Sequence, residues 1–227
     1  MKKVILSAIV LGGIAMNANA QITIAPEVGV NLANMTSKYE SPIGGETSLD
    51  TKMKLGLKAG AVVTIPVAKG FFIQPGFFYS MKGAKMSESE TVLGQTFEYK
   101  SNINTSYLEI PVNLGYEYKI GNAGSVFATV GPYLGYACGG KVKSEGTLNA
   151  TTLPEMDEET DIEFGSDATD DMKPMDIGVN FSAGYKLPMG LYVRAQYGMS
   201  LTNLANEDNG TLKNKVLSFS LGYAFKL

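Results

Sequence analysis

The C-terminal stretch LSFSLGYAFKL, residues 217–227, decides the fold, because bulky apolar residues occupy every second position. The positions between them are small or polar. A period of two over this stretch predicts a β-strand with one apolar face. In a water-soluble protein that face would be buried in a core. In a membrane barrel it would contact lipid, and the polar face would line the lumen. This strand alone is compatible with both arrangements.

The same alternation recurs along the chain and predicts strands at about 23–36, 53–66, 71–84, 105–119, 125–143, 174–187, 190–202 and 214–227. The connections alternate in length. They are short at 67–70, 120–124 and 187–190, and long at about 37–52, 85–104, 144–173 and 203–213. An even number of antiparallel strands, with short turns at one end and long loops at the other, is typical of outer-membrane barrels. The sequence therefore predicts an all-β fold, an eight-stranded antiparallel up-and-down transmembrane β-barrel.

Most charged residues of these segments lie on the polar parity, which predicts that they face the lumen. This inward set is Glu27, Lys54, Lys58, Lys82, Glu109, Glu117, Asp176, Lys186, Arg194 and Lys226. The alternative is a soluble ligand-carrying barrel with a polar exterior. The side chains at the polar positions are too small, and too many of these positions are glycine, to form such an exterior. In addition, tyrosines including Tyr107, Tyr116 and Tyr133 lie near segment ends, as in a membrane-interface girdle.

The first twenty residues have the pattern of a cleaved signal peptide. Lys2 and Lys3 precede an apolar run at 4–16, and Ala18-Asn19-Ala20 is a small-x-small cleavage site. We therefore expect residues 1–20 to be a signal peptide and 21–227 to be the barrel domain. The run is too short for a membrane-spanning helix, which needs about 20 residues.

The composition excludes several classes of function. The chain has no His and one Cys, which rules out Ser-His or Cys-His catalytic pairs, His-ligated zinc and an internal disulfide. A formal net charge of −3 gives no basic footprint for nucleic acid. We expect no enzymatic activity, no cofactor and no metal site.

Several motifs resemble the outer-membrane β-barrel domain family of Bacteroidota, the PorT-like group. They are IQP at 73–75, FYSMKGA at 78–84, YLEIP at 107–111, GPYLGY at 131–136, YG at 197–198, LTN at 201–203 and LGYAF at 221–225. The resemblance covers nearly the whole chain after residue 20, and YLEIP is its most specific part. It implies an eight-stranded barrel in the cell outer membrane. It does not imply one function, because PorT itself is associated with protein secretion but most members have no assigned role.

A barrel of eight strands is just wide enough for side chains to fill its interior. Arg194 is the single arginine, and its planar fork of donors suits a carboxylate. We therefore expect a structural ion-pair cluster in the lumen, in which Arg194 pairs with Glu109 or Glu117. The alternative is that Arg194 bonds only water, Asn or Gln. A lumen filled in this way would not act as a diffusion porin.

An acidic segment at 155–171 lies in the longest predicted loop. The spacing Asp157-x-Glu159-x-Asp161 is similar to the start of a calcium loop, but Ile162 stands where the sharp turn would need glycine. The alternative is a mobile, solvated surface loop.

We expect a small outer-membrane barrel with a structural or surface-interaction role. The second hypothesis is an accessory component of a secretion machine. The expected partners are outer-membrane lipids, an envelope or surface partner contacted by the long loops, and the barrel assembly machinery during biogenesis. The last strand resembles the signal read by that machinery, although it ends in Leu227 with Phe225 two residues earlier.

Overall fold

The computed structural model describes residues 21–40, 46–49, 51–149, 151–167, 169–206 and 210–227. The predicted signal peptide, residues 1–20, lies outside the described residues. The described strands are β1 (Thr23–Glu40), β2 (Glu46–Leu49), β3 (Thr51–Lys52), β4 (Lys54–Pro66), β5 (Phe71–Val92), β6 (Gln95–Lys119), β7 (Ser125–Leu148), β8 (Thr151–Asp161), β9 (Met175–Lys186), β10 (Leu191–Ser200), β11 (Gly210–Tyr223) and β12 (Phe225–Lys226). None of the described residues forms a helix long and apolar enough to cross a membrane.

Eight of the described strands close into a ring of antiparallel pairs. The order is β11-β10-β9-β7-β6-β5-β4-β1, and β1 also pairs with β11. Glu27 faces Gly222 on β11 and Gly60 on β4, so the first strand is hydrogen-bonded on both sides. The predicted all-β antiparallel fold is confirmed. Closure leaves no unpaired edge within the ring.

The two ends of the ring differ. Short turns lie at one end, at 67–70, 120–124 and 187–190, and the first described residues meet the last strand there. Leu227 N donates to Ile22 O at 3.0 Å. We call this the short-turn end and the opposite one the long-hairpin end.

Two of the predicted long loops consist largely of strand. β5 and β6 extend past the ring to a two-residue turn at Leu93 and Gly94, so 85–104 is a hairpin. β7 extends to Leu148 and pairs there with β8, which replaces β9 as its neighbour. The prediction of a solvated loop at 155–171 was therefore wrong for its first part. We name the protruding four-stranded sheet, residues 85–104, 139–149 and 151–161, the blade.

Polarity alternates across the wall of the ring as the sequence predicts. Arg194 is 3% exposed, whereas its neighbour Val193 is 55% exposed. The exposed outward residues are bulky and apolar on every strand of the ring. They include Val30, Leu57, Phe77, Ile110, Val130, Phe181, Val193 and Phe219. The described ring thus has an apolar exterior and a polar interior.

The predicted tyrosine girdle is only partly correct. Tyr107 and Tyr133 are buried in the lumen, because they lie on the inward parity of β6 and β7. Tyr116, Tyr118 and Tyr223 do point outward near the short-turn end. Tyr136 is also exposed, near the long-hairpin end, so outward tyrosines lie near both ends of the ring.

Two apolar clusters lie in the lumen, one toward each end. The lower cluster, near the short-turn end, consists of Ala25, Val62, Phe72, Phe78, Phe127 and Tyr192. The upper one consists of Met35, Ala84, Met172 and Leu204, with Ile103, Ile162, Phe164 and Leu212 packed against it. Glycine makes room for the lower rings, because a Cβ on Gly115 would lie 2.2 Å from the Phe72 ring. Between the clusters the lumen is polar.

Candidate functional site

The polar middle of the lumen is balanced in charge. Its buried ionisable residues, among those described, are three cations and three carboxylates: Lys58, Lys82, Arg194, Glu27, Glu109 and Asp176. All six belong to the predicted inward set. Of the other four, Lys54, Glu117 and Lys186 are half-buried and Lys226 is exposed. Burial of a charge is costly unless it is paired, so the contacts of each matter.

Lys82 lies at the centre of the upper group of charges. Its Nζ is 2.5 Å from Glu109 Oε1 and 2.9 Å from Asp176 Oδ2. Tyr133 donates to the other oxygen of Asp176 at 3.1 Å, and Asn214 donates to Oδ2 at 2.9 Å. These residues come from five different strands of the ring. The group therefore ties opposite sides of the wall together through the lumen.

Arg194 forms a second group nearer the short-turn end. Its Nη2 donates to Gln74 Oε1 at 2.7 Å, and its Nε is 3.3 Å from Glu27 Oε2. The same Glu27 oxygen accepts a hydrogen bond from Tyr192 Oη at 2.8 Å. The guanidinium carbon lies 5.3 Å from the centre of the Phe127 ring. The arginine is thus held by an amide, a carboxylate and an aromatic face.

The predicted pairing of Arg194 with Glu109 or Glu117 was wrong. Glu109 contacts Lys82, and Glu117 Oε2 lies 2.5 Å from Lys186 Nζ at the mouth of the short-turn end. The three predicted residues face the lumen but belong to three separate ion pairs. Alternation gives the face of a side chain but not its height along the lumen. Only ring closure brings Glu27 of β1 beside β10.

Lys58 has a different kind of partner. Its Nζ donates to Gln196 Oε1 at 3.1 Å and lies 4.3 Å from the centre of the Phe78 ring. It makes no ion pair with a carboxylate of the described residues. An amide oxygen and an aromatic face therefore contact this ammonium group. In the sequence, the only sign of this contact is that Lys58 and Phe78 both occupy inward positions of their strands.

Very little free space remains around these charges. Spaces of about 20 Å³ and 10 Å³ lie beside Arg194 and beside Lys82. A single water needs about 10–15 Å³. Larger spaces lie outside this middle part: a mouth of about 720 Å³ at the short-turn end, lined by Glu117, Lys119 and Lys186, and a cleft of about 290 Å³ at the foot of the blade. Between the described residues, the middle of the lumen leaves no passage for a solute.

The blade reverses the polarity of the ring below it. Its outer face, which continues the apolar exterior of the ring, carries ion pairs. Lys141 Nζ is 2.5 Å from Glu159 Oε1, and Lys143 Nζ is 2.7 Å from Glu145 Oε1. Its inner face, which continues the lumen, carries Phe97, Tyr99, Ile103 and Val142 in the register of the pairing.

The acidic residues of the blade do not form a calcium loop. Asp157, Glu159 and Asp161 lie on β8, where they face Lys141 and Lys143. Within the described part of the chain, no group of three or more His, Cys, Asp or Glu side chains is placed to hold a metal ion. The carboxylates of β8 act as partners of lysines.

A closed antiparallel ring with an apolar exterior and a charged, filled lumen defines the class of outer-membrane β-barrels. The chain belongs to the outer membrane protein beta-barrel domain family, whose model matches residues 17–206. The protein is therefore an outer-membrane barrel. The finer resemblance to the PorT-like group of Bacteroidota stays a prediction.

Solved structures with weak similarity include other bacterial outer-membrane proteins. Ail of Yersinia pestis, solved with the heparin analogue sucrose octasulfate, is 12% identical with a TM-score of 0.38, covering 91% of this chain and 99% of its own. Neisserial surface protein A is 14% identical with a TM-score of 0.34, covering 88% and 99%. The OmpT protease of Escherichia coli is 9% identical with a TM-score of 0.36, covering 90% and 97%. No curated protein matches the chain in sequence. Similarities this weak say nothing about activity.

Proposed function

We propose that this protein is a non-conducting barrel that anchors the blade at the cell surface, where the blade contacts an envelope or surface partner. The observation that carries the proposal is the reversal of side-chain polarity along single strands. On β6, outward residues are apolar from Leu108 to Tyr118 and polar from Ser106 upward. A run of eleven residues matches the length with which a tilted strand spans a bilayer, about 9–11 residues. The blade then lies in water.

In this proposal the short-turn end faces the periplasm. Small barrels of this kind have short turns in the periplasm and long connections on the outer surface of the cell. The chain is exported by a cleaved signal peptide at residues 1–20 and inserted by the barrel assembly machinery. The filled lumen and the absence of His from the chain favour a structural or binding role over transport or catalysis. A role as an accessory of a secretion machine remains the second hypothesis, which co-purification with a large envelope complex would favour.

Thiol labelling of intact cells tests the orientation. In a Cys138→Ser background, Ser89→Cys places a thiol on the blade, and Asn122→Cys places one in a short turn. We expect a membrane-impermeant maleimide to label the blade thiol in intact cells and the turn thiol only after lysis. Labelling of the turn thiol in intact cells would refute the proposed orientation.

Planar-bilayer recording tests the closed lumen. We expect no steady conductance from the purified protein. The charged groups around Lys82 and around Arg194, together with the two apolar clusters, fill the cross-section of the lumen. A large, stable conductance that depends on the protein would contradict the non-conducting role.

Binding of a partner has its own test. Cells that display a blade shortened at both hairpins should lose surface adhesion or partner capture, while the barrel still reaches the outer membrane. A matched control shortens the turn at 120–124 by one residue. Unchanged binding by the blade-shortened variant would contradict the surface-interaction role.

A further inference from the structure

Three lysines lie on the outer face of the ring, close to the upper limit of its apolar exterior. Lys215 continues the outward series of Leu217, Phe219 and Leu221 on β11, and Lys85 continues that of Phe77 and Tyr79 on β5. Lys52 on β3 is paired directly with Lys85. All three side chains are exposed.

The strands that carry these lysines are close neighbours. Lys215 is paired with Asn34 on β1, and Thr51 on β3 donates to Met35 O of β1 at 2.5 Å. The lysines therefore follow one another across β11, β1, β3 and β5. With about 4.8 Å between adjacent strands, they cover a strip about 14 Å wide.

The charge of this strip is not balanced by the described residues around it. Like charges directly opposite one another on a sheet are destabilising, and Lys52 and Lys85 stand opposite. Neither they nor Lys215 makes an ion pair with a described residue, in contrast to Lys141 and Lys143 of the blade. The strip is therefore suited to an anion from outside the chain.

The surface just below the strip is strongly apolar. Leu55 is 66% exposed and Leu57 59% exposed, and both lie on β4 between β1 and β5. A ligand that contacts both surfaces at once must carry an acyl chain and a negative head group. A phosphate group fits the compact charge of lysine ammonium groups.

We propose that Lys52, Lys85 and Lys215 bind the phosphate of an anionic lipid in the leaflet at the long-hairpin end. The inference rests on the membrane position proposed above. The opposite rim is different, since its outward residues include Phe71, Tyr116, Tyr118 and Phe225. Lysines near that end, Lys119 and Lys226, line the mouth of the lumen. The barrel thus recognises a negatively charged head group on one side of the membrane, and the outward strand residues near the other side are mainly aromatic.

Electron spin resonance of spin-labelled lipid tests the proposal. The protein is reconstituted in phosphatidylcholine vesicles with labelled phosphatidic acid or labelled phosphatidylcholine as the probe. We expect wild-type protein to immobilise phosphatidic acid preferentially. In the variant K52Q/K85Q/K215Q, the preference for phosphatidic acid over phosphatidylcholine should fall at least about fivefold. A factor of about five is the effect of roughly one lysine near an anionic surface. The matched variant K69Q/K119Q/K226Q removes three charges at the other end and should keep it.

Two further measurements keep the outcomes separate. About 1 M salt, where the Debye length is about 3 Å, should abolish the preference of the wild-type protein without any substitution. Inorganic phosphate should compete no better than chloride at equal ionic strength, and stronger competition would instead indicate a site for free phosphate. Equal preference in the two triple variants, with both inserted in vesicles, would overturn the lipid site alone. Failure of the wild-type protein to float with vesicles would overturn the membrane position itself.

Discussion

The two halves of β6 use the same backbone alternation for opposite purposes. Below Ser106, the outward residues Leu108, Ile110 and Val112 are exposed and apolar, and the inward Glu109 and Asn113 are buried. Above Ser106 the outward positions are Asn104, Asn102, Lys100 and Glu98, and the inward positions include Ile103, Tyr99 and Phe97. A period of two identifies a strand in both halves. The solvent on the outer face decides which parity is apolar, so in the proposed membrane position the reversal marks where lipid gives way to water.

A bulge on β7 lies beside Ser106, at the level where the polarity of β6 reverses. Ser106 is paired with Gly139 and Tyr107 with Ala137, so Cys138 is an extra residue in that strand. An extra residue shifts the parity of everything beyond it. The shift points Lys141 and Lys143 outward and Val142 inward, in agreement with the neighbouring β6. The blade is thus a sheet with its own polarity, joined to the ring at the bulge.

The largest expected effect is a difference in stability between the loss of a charge in the lumen and the loss of a charge on the blade. Lys82→Met leaves Glu109 and Asp176 buried without their cation, which should lower the free energy of unfolding by about 3–5 kcal/mol. Lys141→Met removes an ion pair that water surrounds, and should cause no measurable change. Urea unfolding in detergent micelles or vesicles measures both. Similar losses in the two variants would mean that the lumen and the blade do not differ in this respect.

A lysine placed on the outer face should distinguish lipid from water on one strand. Leu114→Lys lies near the middle of the apolar run of β6, and we expect it to destabilise the protein by about 2–4 kcal/mol in a bilayer. Thr96→Lys has the same parity on the same strand, but in the blade, where it is paired with the uncharged Thr91, and should be close to neutral. Unfolding from vesicles gives both values. A neutral Leu114→Lys would place this surface in water.

Phe225 tests the lower limit of the apolar exterior. Its ring is half-exposed and lies 4.7 Å from that of Tyr223. We expect Phe225→Asp to reduce the level of protein in the outer membrane about threefold, because the last strand is placed less stably in lipid. Leu93→Asp, at the fully exposed tip of the blade, is the control and should leave the level unchanged. Immunoblots of membrane fractions measure the levels, and equal levels would argue against a lipid-facing Phe225.

The smallest expected effect is a response of the blade to pH. The hydrogen bond from Lys141, then its charge, holds the pKa of Glu159 below its ordinary value, and the same bond raises the pKa of Lys141. A lowered carboxyl pKa stabilises the fold above the unfolded value of about 4.3, and this contribution is lost as the pH falls through the folded pKa. The raised pKa of Lys141 acts at high pH. Its contribution to stability is present below the unfolded value of about 10.4 and is lost as the pH rises through the folded pKa.

Hydrogen exchange, corrected for the intrinsic rate, is the measurement for this effect. Protection of amides at 141–145 should decrease slightly below about pH 4, and Glu159→Gln should remove that decrease. Protection that is independent of pH in the wild-type blade would show that this ion pair does not contribute to its stability.

The sequence predicted much of the ring and little of what is joined to it. Each of the eight ring strands overlaps its predicted segment, because alternation is a local property that each segment displays by itself. The sequence predicts a loop at 85–104, where the structure has the blade, because the apolar parity there is the reverse of that below and polar residues such as Asn102 and Lys100 are typical of loops. The acidic stretch at 155–161 gave no sign that lysines of β7 would face it across a strand pair.

The sequence by itself determined which side chains face the lumen and which face outward, since that depends only on odd and even positions along a strand. The tertiary structure decided which of them meet. Glu27 and Arg194 are far apart in the chain and become neighbours because β1 closes on β11, while Glu109 and Glu117, on the same strand, contact different lysines at different heights. Strand register and closure of the ring fix those heights, and both arise from contacts between segments rather than from any single segment.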